Sequence, residues 1–133
     1  MGVVLLSRDN AEDFLMSNTS SSLKALLFTK KAETPQLWLR VAEALNGSFS
    51  FGEVRHVEED LLLRFGVSVD SLPRIVAIRD VNSTTQTVHY DGPTAFERIS
   101  DFLKDIAEGG PALVEARKQV SLLFNVPVNM LLF

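Results

Sequence analysis

Apolar and polar residues change period several times along this chain, and each change marks an element. Val3-Val4-Leu5-Leu6 is a short apolar run that predicts a first strand and stops at Ser7-Arg8-Asp9. Asp9 or Asn10 can cap a short helix, Ala11 to Met16, with Phe14 and Leu15 turned inward. Asn18-Thr19-Ser20-Ser21-Ser22 reads as a loop by composition. Leu23 to Thr29 is nearly all apolar apart from Lys24, the pattern of a strand buried on both faces.

From Gln36 to Leu45 the period becomes helical. Leu37, Val41, Ala44 and Leu45 form one stripe, with Trp38 and Ala42 beside it. Thr34 suits the N-cap and Pro35 the first helical position, where a missing N–H costs nothing. Asn46-Gly47 is expected to end the helix through a left-handed residue. Phe49, Phe51, Val54 and Val57 populate a strand region, Phe51 to Val57. Glu58 to Phe65 follows as a short helix with Leu61, Leu62 and Phe65 inward, closed by Gly66. The acidic run Glu58-Glu59-Asp60 fits a solvated first turn, favoured by the helix dipole.

Ile75, Val76 and Ile78 are strong strand formers within Arg74 to Arg79. Asn82-Ser83 predicts a turn into an antiparallel partner, Gln86 to Tyr90. Asp91-Gly92-Pro93 breaks the chain. Thr94-x-x-Glu97 then has the form of a capping box ahead of the stripe Phe96, Ile99, Phe102, Leu103 and Ile106. Gly109-Gly110-Pro111 separates a domain, 1–108, from an extension, 109–133. In that extension Leu113, Ala116, Val120, Leu123 and Phe124 have helical spacing, and Val126 to Phe133 is an apolar end. The order of elements predicts an α/β fold: a mixed sheet of about five strands with helices on both faces.

Composition narrows the function classes. At 133 residues the chain suits one domain with a real core, and a net charge of −4 leaves no basic footprint for nucleic acid. With no cysteine and only His56 and His89, a zinc site is poorly supplied, and neither metal nor cofactor is expected. Both histidines lie in strand-like segments beside polar residues, which suits a surface or edge-strand role. Met1 to Leu6 is too short and too uncharged at its start for a signal peptide. Residues 120–133 are interrupted by Pro127 and too short for a bilayer span. Membrane contact is therefore expected only through a parent protein or the apolar end. The apolar last residue, Phe133, suggests a domain that belongs to a longer chain.

The turn between the second strand and its helix carries a family resemblance. Phe28-Thr29-Lys30-Lys31-Ala32-Glu33-Thr34-Pro35-Gln36 lies without gaps over F-x-A-x-W-C-G-P-C of the thioredoxin-like family. Arg64-Phe65-Gly66-Val67 resembles K-Y-G-I/V, and Tyr90-Asp91-Gly92 resembles the Y-x-G before the last helix. Ser71-Leu72-Pro73-Arg74 resembles G-[I/Y]-P-T, whose proline follows a cis peptide bond. The match covers roughly residues 3–107. Two departures stand out. Val67 to Pro73 is about two residues longer than usual, and Leu27 lies where active relatives carry a buried acid.

Within the family the chain looks most similar to redox-inactive domains of protein disulfide isomerases. It also resembles thioredoxin-like modules of endoplasmic-reticulum J-domain co-chaperones, through Leu27-Phe28-Thr29-Lys30-Lys31, Thr34-Pro35-x-Leu37-Trp38 and Phe51-Gly52-Glu53-Val54-Arg55. Glu33 and Gln36 stand where the two cysteines would be, so no thiolate and no mixed disulfide can form.

The resemblance implies a non-enzymatic module that holds polypeptide or a partner protein. Its degenerate turn is Glu33, Thr34, Pro35 and Gln36. Its peptide-contact candidates are Leu72, Pro73, Arg74 and Trp38. Glu33 can act as an anionic contact beside a helix N-terminus or simply as a surface acid. Trp38 can be packing or, if partly exposed, a partner anchor. The endoplasmic-reticulum lumen is the implied compartment, with the cytoplasm as the alternative. A second reading is a structural spacer or interaction domain without a groove function. A third, a glutathione-transferase-like enzyme using Thr29 or Thr34, meets two objections. There is no second helical domain, and no histidine lies beside these hydroxyls in sequence.

Overall fold

Five strands form one mixed sheet in the computed structural model, which describes residues 2–16, 23–81 and 84–108. The strands are β1 (Val3–Leu5), β2 (Lys24–Thr29), β3 (Ser50–Arg55), β4 (Arg74–Val81) and β5 (Thr84–His89). Their order across the sheet is β1-β3-β2-β4-β5. β3 runs parallel to both β1 and β2, whereas β4 runs antiparallel to β2 and β5. The helices are α1 (Ala11–Met16), α2 (Gln36–Ala44), α3 (Glu59–Arg64) and α4 (Phe96–Ala107). The expected α/β architecture, with a central mixed sheet and helices on both faces, is the one observed.

The apolar run of β2 makes it the central strand, and all six of its residues are buried. Its side chains alternate between two cores, as the pleat requires. Ala25 and Leu27 join Phe51, Ile75 and Ala77 under α2 and α4, against Trp38, Val41, Ile99 and Leu103. Leu26 and Phe28 join Val54, Val76 and Ile78 on the other face, against Ala11 of α1 and Leu61 and Leu62 of α3. Side chains of the second core pack directly on Gly52 of β3. A Cβ there would stand 2.8 Å from Leu26 Cδ2 and 3.2 Å from Phe14 Cζ.

Several boundaries differ from the sequence reading. α2 does not end through a left-handed Gly47: among the described residues, positive φ falls on Gly2 and Gly66. Instead the Leu45 carbonyl accepts from the N–H groups of Ser48 and Phe49 at 2.9 and 3.1 Å, and the Leu45 side chain is tucked into the core. Gly66 does close α3 in the left-handed region, at φ 67°. The Thr94 capping box does not form either. The N-cap of α4 is Ala95 without a side-chain cap, and the preceding turn is pinned by its own bonds. The Tyr90 hydroxyl donates to the Pro93 carbonyl at 2.6 Å, and the Ala95 N–H donates to it at 2.9 Å.

β3 stops at Arg55 rather than Val57, because the Glu58 N–H turns back to the Arg55 carbonyl and leaves Val57 exposed. β5 starts at Thr84, where it pairs with Val81 in a tight hairpin. The extra residues before Pro73 fold into a single 3-10 turn, Val69–Ser71, capped by Ser68, whose hydroxyl accepts from the Asp70 N–H at 3.2 Å. The serine loop 18–22, the turn at Asn82-Ser83 and the extension 109–133 with its Gly-Gly-Pro boundary lie outside the described residues. No helix among the described residues is long and apolar enough to cross a membrane.

Candidate functional site

The Glu33–Gln36 turn sits between the end of β2 and the start of α2. Glu33 and Gln36 are exposed and Pro35 is half-buried. Pro35 is the N-cap rather than the first helical residue. Its extended backbone aims its carbonyl along the helix, where it accepts from the N–H groups of Trp38 and Leu39 at 3.0 and 3.2 Å. Thr34 does not cap α2. Its hydroxyl turns under the chain and donates to Glu53 Oε1.

Glu53 is the residue that sequence reasoning missed. It lies opposite Leu27 in the β2–β3 ladder, and its side chain is fully buried. Its second oxygen, Oε2, accepts from Arg55 Nε at 3.3 Å. A charged carboxylate is tolerated in such a place only with partners, and Thr34 and Arg55 supply them. Leu27 stands on β2 where active relatives carry a buried acid, but an acid is present one strand away. The signal was in the strand period: Phe51, Glu53 and Arg55 share a face, and Phe51 is core.

Leu72-Pro73 is a cis peptide bond, as the resemblance implied. Pro35 and Pro73 both line a cleft of about 200 Å³, with Leu27, Trp38, Ile75 and Ile99 also in its walls and Thr94 from the loop before α4. The structure therefore brings the turn and the cis-proline to one cleft, and its walls are mainly apolar. Trp38 is only 1% exposed, and its Nε1 donates to the Gly52 carbonyl at 3.1 Å. It belongs to the cleft floor and cannot reach out as an anchor.

Two other candidates point elsewhere. The Leu72 side chain packs against the second core, and its N–H donates to the Val69 carbonyl at 3.4 Å, closing the 3-10 turn. Arg74 pairs in register with Phe28, which places it on the face away from the cleft. There it affects His89: burial first, and then the Arg74 charge, push the imidazole below its ordinary range. His56 and His89 are both exposed, His89 on the edge strand.

Thr29 and Lys31 also line the cleft. The chain contains no cysteine, which excludes thiol–disulfide exchange. The Thr34 hydroxyl is committed to Glu53, and the buried Thr29 hydroxyl accepts from the Lys31 N–H at 3.1 Å. No group of three or more His, Asp or Glu side chains among the described residues could hold a metal ion.

This arrangement is a thioredoxin-like fold without the CxxC cysteines, and solved structures share it. Over 81% of this chain, the Trx4 domain of ERdj5 superimposes with a TM-score of 0.67 at 11% identity, 97% of that domain being covered. The J-Trx1 fragment of ERdj5 gives 0.61 at 20% identity, over 80% of this chain and 52% of that one. Chloroplastic thioredoxin z gives 0.60 at 19% identity, over 83% and 97%. In sequence, the chain is 28% identical over 103 residues to a Dictyostelium discoideum protein assigned by name to the protein disulfide isomerases. The alignment spans 77% of this chain but only 24% of that protein's length. No protein-family model matches.

Proposed function

We propose that this domain is a redox-inactive binding module that holds extended polypeptide in the cleft between Pro35 and Pro73. The observation that carries the reading is the cleft itself. The turn and the cis-proline frame an apolar-walled space that would accept a hydrophobic side chain. The Leu72 N–H is held by the Val69 carbonyl at 3.4 Å, so an added peptide would donate a backbone N–H to the Leu72 carbonyl, a mode in which main-chain bonds give affinity and a pocket gives selectivity. The likeness to ERdj5 domains and to a protein named for disulfide isomerases supports a chaperone or isomerase-like parent in the endoplasmic-reticulum lumen. In this reading the module is not an enzyme, and its partner is a polypeptide.

The test is an NMR titration with an unfolded, apolar-rich peptide. Shifts should gather on Leu37, Ile75 and Thr94. Thr94→Arg, which fills the mouth of the cleft from an exposed position, should weaken binding by about tenfold, the loss of one good contact. Equal binding by that variant, or shifts confined to other surfaces, would leave a spacer domain whose contacts lie on its helices.

A further inference from the structure

The opposite face of the sheet holds a second and larger cavity, of about 450 Å³, a size that suits a small molecule. One row of the ladder forms its floor: Lys24 of β2 pairs with Ile78 of β4, which pairs with Thr87 of β5. The next row on that face, Asp80 with Thr85, forms one rim. Leu15 and Met16 of α1 and Arg64 and Phe65 at the end of α3 complete the wall.

Lys24 is the anomaly there. A lysine is rarely this buried, and this one is 2% exposed inside the central strand. Burial holds its amine below the ordinary lysine range, and the Asp80 carboxylate offsets this only in part. Among the described residues the lining contributes two cations, Lys24 and Arg64, against one carboxylate, Asp80. Asp80 is exposed and already accepts from the Thr85 hydroxyl at 2.9 Å. Arg64 pairs with Glu12, but both side chains are solvent-exposed, so the pair exchanges at little cost. Leu15, Phe65 and Ile78 supply apolar wall beside Thr85 and Thr87, and Met16, 74% exposed, is adaptable in shape.

We propose that this cavity binds a small monocarboxylate with an aliphatic or aromatic body. Its carboxylate is drawn to Lys24 and Arg64, and its body lies against Leu15, Met16, Phe65 and Ile78. Lys24 already makes protein contacts, and Arg64 brings the second cation to the carboxylate. A negative charge in the cavity also offsets the desolvation of the buried amine.

The experiment titrates the whole chain with sodium octanoate, octanol and octylammonium, read by amide and methyl NMR. Octanoate should move Met16, Lys24, Ile78 and Thr87, leave the Pro35–Pro73 cleft unmoved, and bind about tenfold tighter than octanol, the yield of one charge-assisted contact. Lys24→Met should remove that advantage while leaving octanol binding intact. Arg64→Gln, on the exposed end of α3, should weaken octanoate on a fold it does not disturb. The proposal is overturned if octanol binds as well as octanoate, if octylammonium binds better, if both variants bind octanoate like the parent, or if the cavity does not respond at millimolar ligand.

Discussion

Thr34 has two chemically reasonable partners, and the choice between them decides what the turn is for. A threonine ahead of a helix normally accepts from a free N–H, and its loss costs about 1 kcal/mol. Here its hydroxyl donates to a fully buried carboxylate instead. Bonds to charged groups are worth about 1.5–3 kcal/mol, and Thr34→Val should destabilise by about that amount in chemical denaturation. The partner can be separated from the cap by a cycle. In a Glu53→Met background the Thr34→Val cost should nearly vanish, because the hydroxyl no longer has a charge to satisfy. An undiminished cost would return Thr34 to the capping role that its sequence position suggests. Glu53 could not be paired with Thr34 from sequence. The two are 19 residues apart, and nothing local says that a loop hydroxyl will settle over the middle of β3.

The elements were legible where a strong period met a clear stop. β2 was plain because an unbroken apolar run of that length has few other places to go, and α4 because Phe96, Ile99, Leu103 and Ile106 repeat at helical spacing. Caps were less legible: Thr34, Thr94 and Gly47 all have suitable chemistry, yet each was outbid by a tertiary contact or a local turn. The 3-10 turn at Val69–Ser71 was hidden because three residues carry no period. α4 also contains a misfit that the period conceals. Ser100 is buried in its inner face, and among the described residues its hydroxyl has no hydrogen-bond partner. Ser100→Ala removes that orphaned group and improves helix propensity at almost constant volume. The variant should gain about 0.5–2 kcal/mol, read as a raised denaturation midpoint at an unchanged slope. A loss of stability would mean that the hydroxyl is satisfied in solution by a water or a partner.

For the whole molecule the open question is where the folding unit ends. Among the described residues the buried members of both cores run from Leu6 to Ile106, one core on each face of a sheet whose central strand is wholly buried. Arg79 closes the far end: it is largely buried, and its Nη1 donates to the Ile106 carbonyl at 3.0 Å, so the last turn of α4 is tied back to β4. A cation at the C-terminal end of a helix is also favoured by the dipole. We propose that residues 1–108 fold alone, in one cooperative transition. The two faces share the β2–β4 ladder, so neither core can melt while the other persists. Calorimetry on the 1–108 fragment should then show a single peak within about 4 °C of the full chain, since larger shifts correspond to more than about 1 kcal/mol in a domain of this size. A broad or early transition would show that the extension completes one of the two cores. The octanoate and peptide titrations, repeated on a fragment that does fold, would then assign both cavities to the thioredoxin-like domain itself.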